Sequence, residues 1–468
     1  MTKDPPREDD GSMATTSAPQ LDVSAPPIPL GRLASARALT RDALGTFDTL
    51  WREHGDAIHL EIGPPRIGQT VYAFSSPQAA ATIFGGTSWR SFQKNDNVYE
   101  EIRAWLGDGL LSAQGDEWTR QRRFVQPVFT HAAVDGYTEL MVDEITEVLR
   151  GLKGASEIDL GDTMMALTLH VVVRALFGDV TDDAVPTVRE AFPVLSDTVM
   201  KRGLTPVNPP RAWPTPRNRR GRAAQVRLWE LCDRIIAERR ASGEFDKGDL
   251  LGRLLAARDG AESLSDSEIR DQVLIFLLAG HETTSTALTY ALHLLGRHTE
   301  IQDRVHAEMT TVLGDRTPTA ADAAALTYTT ACLKEAMRLY PSAPIIGRIA
   351  TETREVAGVM VPEGATVIVA IRNIHRHPDH WGDPLRFDPE RFVGDAEKGR
   401  HRYAWMPFGG GPRACIGQYF SVTEAVLVLA MLLRKHRVEA LADSDDLPVE
   451  ALITLVPSEP VHVRLAPR

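Results

Sequence analysis

Of the three cysteines in the chain, Cys232, Cys332 and Cys415, one stands among residues suited to a reactive sulfur. Cys415 lies in Phe408-Gly-Gly-Gly-Pro-Arg-Ala-Cys-Ile-Gly417, directly ahead of the apolar segment Gln418–Arg434. Glycines let a backbone turn tightly and come close to a flat ligand. A cysteine at a helix start faces backbone N–H groups and the positive end of the helix dipole, and both favour thiolate over thiol. An inert buried cysteine is the usual fate of a free one, but it needs no glycines, proline and arginine crowded beside it. Zinc needs further ligands, and no second Cys or His stands at ligand spacing. A lone thiolate suits a metal whose other ligands come from a macrocycle, and haem meets that description.

A second group is Ala279-Gly-His-Glu-Thr-Thr-Ser285. Gly280 costs ~1 kcal/mol relative to alanine inside a helix. Threonine hydroxyls can bond back to the i−4 carbonyl and bend the helix. Together they make a local defect where a small ligand and water fit. Glu282 and Thr283 place an acid beside an alcohol, a pair that can relay the protons that O–O cleavage consumes. The plainer alternative is a polar spot on a core helix. Third, Glu335-Ala-Met-Arg338 puts both charges on one helix face. Alone this is usually a surface pair of little worth, but Cys332, Met337 and Leu339 around it point to burial. A buried pair needs further partners, and Asp388-Pro-Glu-Arg391-Phe offers Arg391. Fourth, Trp118 and Arg122 in Trp118-Thr-Arg-Gln-Arg122 lie one turn apart and can both donate to an anion, although taken alone the motif reads more readily as an amphipathic helix with a basic surface.

These groups must be positioned by a chain of 468 residues whose composition is ordinary for a globular protein. A net charge of −11 argues against a general nucleic-acid binder. Three widely spaced cysteines argue against a disulfide framework and fit the cytoplasm. Residues 1–29 are rich in Pro, Ser, Thr and Asp, lack an apolar h-region, and are expected to be a disordered tail rather than a signal peptide. The longest apolar run, Ala425–Leu433, is far short of the ~20 residues of a membrane span, so no membrane anchor is expected. Helical spacing marks Trp118–Phe129, Val142–Leu152, Thr163–Phe177, Ala223–Arg240, Ala321–Leu339 and the segment from Gly417 to about Arg434. Ser265 with Glu268 makes a capping box, and the apolar pattern behind it runs to about Leu295, so this helix must cross the interior. Strand signals are short: Ala57–Ile62 with Val71–Phe74, Glu355–Val361 with Thr366–Val369, and Ile453–Val456 with Val461–Leu465. Between Thr181 and Arg222 the chain reads as a loose surface connection; Thr205–Arg219 holds five prolines. Residues 30–468 are read as one domain, mainly α with a small β region.

In chain order the groups are Trp-x-x-x-Arg, Ala-Gly-x-Glu-Thr-Thr, Glu-x-x-Arg, Pro-Glu-Arg-Phe and Phe-x-x-Gly-x-Arg-x-Cys-x-Gly. At these points the sequence resembles the cytochrome P450 family, over nearly all of residues 30–468. The resemblance implies a triangular helical prism, with haem b between the long central helix and the cysteine-loop helix. It implies Cys415 as the iron ligand, Phe408 packed against the ligand loop, and Gly411 and Gly417 allowing its tight geometry. Trp118, Arg122, Arg413 and Arg348 (in Gly-Arg-Ile-Ala) would hold the propionates. Glu335, Arg338 and Arg391 would form a structural triad, Gly280 would line an oxygen groove, and Glu282 and Thr283 would relay protons.

The implied activity is a monooxygenase reaction that puts one atom of O2 into a C–H or C=C bond. Electrons would come from NAD(P)H through a separate ferredoxin or flavodoxin with its reductase, since the chain runs only a short way past Cys415. Arg120, Arg123, Lys398, Arg400 and Arg402 could attract such an acidic partner; an ordinary solvated basic face is the alternative. A cytoplasmic monomer is expected. Matching segments make Leu111, Ile275, Leu278, Ala279, Ala343, Ile345 and Ile453 the substrate pocket, apolar enough to bury a hydrophobic body. A polyketide or terpenoid of secondary metabolism is the first expectation and a fatty acid the second; Arg66 could then anchor its carboxylate, though a plain surface arginine is the simpler account. A peroxide-dependent haem-thiolate enzyme is a further alternative.

Overall fold

The segment after Ser265 folds as a helix of 32 residues, Asp266–Arg297. It is closed at its start by the capping box: the Glu268 carboxylate accepts from the Ser265 N–H at 2.7 Å and the Ser265 hydroxyl accepts from the Glu268 N–H at 3.3 Å. Every residue from Gln272 to Leu278, and again from Thr284 to Gly296, is buried. Among the residues between them, Ala279 to Thr283, His281 alone is buried. The chain is seen in a computed structural model that describes residues 31–468 apart from 64–67, 95, 153, 155, 179–183, 204, 206–207, 246–247 and 452–453. The expected tail at 1–29, Arg66 and Ile453 lie outside the described residues.

Around the central helix pack the helices Leu160–Phe177, Pro216–Ser242, Thr327–Leu339 and Gln418–Leu433, and their buried faces merge into one core. Leu160–Phe177 is long and apolar enough by composition to cross a membrane, yet it is a mostly buried core helix here. A five-stranded sheet lies beside this core, ordered Ala57–Ile62, Gln69–Phe74, Thr366–Val369, Ile346–Ala350, Phe92–Gln93, over its own apolar cluster of Phe74, Ile83, Phe84 and Val367. Only the pairing of Gln69–Phe74 with Thr366–Val369 is parallel.

Four expectations are corrected. Glu355–Val361 is not one strand: Arg354–Val356 and Val359–Val361 pair with each other. Ala357 and Gly358 turn the chain back with φ of 48° and 84°, the conformation of a two-residue hairpin turn. Likewise Leu455–Pro457 pairs with Val449–Ala451, while His462–Pro467 lies between Glu157–Asp159 and His436–Ala440. Ala321–Leu339 breaks at Leu326 into Ala320–Ala325 and Thr327–Leu339. The break is supplied from outside: Glu308, on helix Thr299–Leu313, accepts the N–H groups of Tyr328 at 2.7 Å and Thr329 at 2.8 Å and so starts a new helix. Finally, the stretch read as loose contains the helix Ala184–Gly203. Its interior Pro193 hides it from pattern reading, and burial of Val188, Phe192, Leu195 and Val199 holds it in place.

Candidate active site

The cysteine loop is closed on itself and clamped from behind. The Cys415 N–H donates to the Phe408 carbonyl at 2.9 Å. Gly411 has a φ of 67°, and a Cβ there would stand 1.7 Å from the Phe84 carbonyl oxygen, so no other residue fits. Gly417 differs: its φ is −87° and a Cβ would meet only Phe129, at an ordinary 3.9 Å, so the protein's own packing leaves it room. Phe408 is half-buried against Trp405. The helix Gln418–Leu433 follows at once. The Cys415 side chain is solvent-accessible. The protein around it pushes the thiol up, while the Gly417 N–H, Arg122 and Lys94 pull it towards thiolate. Cys232 and Cys332 are buried, and desolvation pushes both thiols up.

Two cations from separate parts of the chain, Lys94 and Arg122, act on that sulfur, and Arg348 and Arg413 act on Lys94. Arg122 donates to the Ala414 carbonyl at 3.2 Å. Arg413 donates to the Ala113 carbonyl at 3.0 Å and stacks over Trp118, 4.6 Å from its centroid. Arg348 is buried beside the ring of Phe84. Lys94, which sequence reasoning missed, is buried and donates to the Leu111 carbonyl at 2.9 Å. Burial and the charges of Arg348 and Arg413 hold Lys94 well below its ordinary range, and burial with Arg348 lowers Arg413 to about 10. Asp96 is the carboxylate among them, and it is partly engaged in capping helix Asn97–Leu106 through the Tyr99 N–H. This excess of desolvated positive charge suits a ligand bearing more than one carboxylate, and a single open sulfur suits an iron ligated otherwise by a macrocycle. The donor set thus fits haem: Cys415 would ligate the metal, and Lys94, Arg122, Arg348, Arg413 and Trp118 would hold its carboxylates. Nothing in the sequence around Lys94 signals this role; it emerges from the fold.

Behind the loop, Glu335 and Arg338 are both fully buried. Arg338 donates to both oxygens of Glu335, at 2.6 and 2.8 Å, and to the carbonyls of His375, Pro384 and Arg386. The Nε of Arg391 lies 3.3 Å from Glu335, an ion contact without hydrogen-bond geometry. His375, also missed, ties this network to the cysteine loop: its Nε2 accepts from the Met406 N–H at 2.8 Å. Its Nδ1 faces the Arg338 carbonyl at 3.2 Å, which assigns the proton to Nδ1. Burial and the Arg338 charge keep the ring neutral, with a pKa lowered to about 3.

On the central helix, Ala279 is exposed, and Glu282 and Thr283 are partly so. The Thr283 hydroxyl donates to the Ala279 carbonyl at 2.6 Å, the helix-bending contact its position suggests. Glu282 accepts from Thr454 at 2.7 Å, and burial raises its carboxyl. Gly280 has a packing reason of its own: a Cβ there would stand 2.9 Å from Val172 on helix Leu160–Phe177. Of the expected pocket residues, Leu111, Ala343 and Ile345 are partly exposed and Ala279 is open, whereas Ile275 and Leu278 are buried in the main core. Of the basic residues expected to attract a partner, Arg120 pairs with Glu117 and Glu268, Arg123 with Asp259, and Lys398 with Asp395. Arg400 stacks over Trp381 at 4.1 Å. Most of that face is therefore neutralised within the chain.

A family model described as Cytochrome P450 matches residues 31–464. A cyclooctat-9-en-7-ol 5-monooxygenase of Streptomyces melanosporofaciens is 35% identical over 407 residues, covering 84% of this chain and 87% of that protein. A pentalenene oxygenase of Streptomyces avermitilis is 34% identical over 417 residues, covering 89% of this chain and 91% of that protein. The crystal structure of cytochrome P450DA heme domain aligns with a TM-score of 0.84 at 31% identity, covering 95% of this chain and 97% of that one.

Proposed function

From the premise that the chain belongs to the cytochrome P450 monooxygenase family, we propose that it oxygenates a terpenoid natural product. The observation that carries the haem-thiolate part of this reading is the closed Cys415 loop, with Lys94 and Arg122 acting on its sulfur and Arg348 and Arg413 acting on Lys94. Haem, when bound, supplies the iron at which O2 is activated with electrons from a separate redox partner. The chain's own residues do the rest. Cys415 would hold the metal, the cations would hold its carboxylates, and Ala279, Leu111, Ala343 and Ile345, each at least partly exposed, are proposed as an apolar wall. Glu282 and Thr283 stand beside that wall as an acid and an alcohol able to hand protons on. Such a pair is not needed when peroxide arrives ready-made, which favours O2 over the peroxide-dependent alternative.

The terpenoid class rests on the aliphatic wall and on relatives whose names specify cyclooctat-9-en-7-ol and pentalenene as substrates. The test is a spectral titration of the haem-loaded protein against terpenes, polyketides and fatty acids, read as displacement of water from the iron. A terpene should produce the shift at micromolar concentration. Saturable shifts from fatty acids alone would overturn the substrate class and leave the enzyme class standing.

A further inference from the structure

Thr454 and Ser342 belong to no motif, yet both reach the acid–alcohol pair. The Thr454 side chain is 2% exposed and its hydroxyl donates to Glu282 Oε1 at 2.7 Å. One residue on, the Leu455 N–H donates to the Ser342 carbonyl at 2.9 Å. The Ser342 hydroxyl in turn donates to the Thr283 carbonyl at 2.8 Å. The hairpin of Val449–Ala451 and Leu455–Pro457, the turn after Pro341 and the central helix are thus joined at two consecutive helix residues, Glu282 and Thr283.

We propose that Thr454 is the positioning residue that fixes the Glu282 carboxyl for proton relay, with Ser342 bracing the neighbouring Thr283 backbone. This rests on the relay reading of Glu282 and Thr283. The physical case is one of donor type. A carboxylate fixed by Arg or Lys has its pKa lowered and takes up a proton less readily. A threonine hydroxyl fixes the same oxygen without adding a charge, so the acid can still take up and release a proton. Among the described residues, burial raises the Glu282 carboxyl, the Thr454 hydroxyl opposes that, and no cation acts on it. Without the hydroxyl, the Glu282 side chain regains its free rotamers, and an acid that swings from its place relays protons more slowly although it is still present. The plainer account is that the Thr454 hydroxyl merely stabilises the hairpin turn.

The test compares Thr454→Val, which keeps the shape and removes the donor, with Thr454→Ser, which keeps the donor. Both are made in the haem-loaded enzyme beside Glu282→Gln and Thr283→Ala. Infrared difference spectra against Glu282→Gln isolate the Glu282 carboxyl and carboxylate bands and need no substrate. They should move in Thr454→Val and return in Thr454→Ser. With the terpene returned by the spectral titration, product formed per NAD(P)H should fall at least threefold in Thr454→Val, hydrogen peroxide making up the difference. Substrate affinity and the carbon monoxide spectrum should stay as in the wild type, and Thr454→Ser should recover the coupling. Unmoved bands and full coupling in Thr454→Val, while Glu282→Gln uncouples, would overturn the positioning role and leave the relay standing. Loss of haem or of substrate affinity in Thr454→Val, regained in Thr454→Ser, with the Glu282 bands unmoved, would overturn it in favour of the hairpin account. Full coupling in both Glu282→Gln and Thr283→Ala would remove the relay itself.

Discussion

Glu335→Gln is the substitution whose consequence the structure fixes most closely. It keeps the side-chain volume and removes one charge. Arg338 would retain its carbonyl partners His375, Pro384 and Arg386. Its two bonds to the carboxylate would face a neutral amide, whose NH2 is itself a donor and repels a guanidinium. Arg391, 3.3 Å from the same carboxylate, would lose its counter-charge too. A fully buried Arg338 and a partly buried Arg391 would then stand without an anion between them. Breaking a buried pair in this way costs about 3–5 kcal/mol, a large part of the roughly 5–15 kcal/mol by which a domain is stable. The urea slope of a chain this long exceeds the ~1–3 kcal/mol/M of small proteins, so the unfolding midpoint should fall by roughly 0.5–1 M. Arg391→Ala should cost less, since its contact with Glu335 lacks hydrogen-bond geometry and its other partner is the Asp383 carbonyl. The assay is urea unfolding followed by tryptophan fluorescence, Trp381 lying 4.9 Å below the Arg338 guanidinium. Haem content is measured in parallel, and unfolding half-lives are taken in case unfolding is irreversible. A Glu335→Gln protein with the wild-type midpoint, half-life and haem content would show that the pair contributes nothing.

Three further outcomes are expected. Cys415→Ser should abolish the red-shifted Soret band of the reduced carbon monoxide complex, a property of the thiolate, while Cys232→Ser and Cys332→Ser keep it; a wild-type protein that binds haem yet never shows the band would refute the ligand assignment. Lys94→Met should slow the unfolding of the haem-free chain, because it removes a cation held well below its ordinary pKa, and should speed haem loss by roughly 10–100-fold, the worth of one charge-assisted bond; haem loss at the wild-type rate would detach Lys94 from the site. His375 binds a proton in the unfolded chain near pH ~6.5 but in the folded one only at about 3. Its contribution to stability is therefore complete above pH ~6.5 and falls with pH at up to ~1.4 kcal/mol per unit, about 2 kcal/mol by pH 5; equal urea midpoints at pH 7.5 and pH 5, with no difference between wild type and His375→Gln, would refute it.

What could be read from the sequence was what is encoded locally. The Phe408–Gly417 segment carries its own turn chemistry, and Gly411 is demanded by one backbone contact with Phe84. The capping box at Ser265 and the apolar run behind it fix the central helix without help from elsewhere. Glu335 and Arg338 could be paired by spacing, and their apolar neighbours gave away the burial. The failures share a cause. The break at Leu326 is made by a carboxylate on another helix, Glu308, which no local window contains. The helix Ala184–Gly203 carries Pro193, a residue that local rules read as a stop and tertiary burial overrides. The C-terminal strands were paired by proximity in sequence, whereas His462–Pro467 inserts between strands that end near residues 159 and 440.

The residues missed at the site, Lys94, His375, Ser342 and Thr454, show why function is harder to read than fold. None sits in a chemically distinctive neighbourhood; each acquires its role from what faces it. Lys94 also shows the energetic logic. A buried lysine beside Arg348 and Arg413 is costly for the polypeptide alone, and both its lowered pKa and that of Arg413 record the repulsion. Selection for stability alone would replace one of these cations with an apolar side chain. A ligand that brings two carboxylates turns the same repulsion into attraction, so binding and folding are linked through these side chains. The rigid ion network behind the loop then has a definite task. Through Arg338, His375 and Met406 it ties the cysteine loop to the helical core. It thereby holds the sulfur at a fixed place while the cations in front are strained, and it can do so because its own charges are already satisfied within the chain.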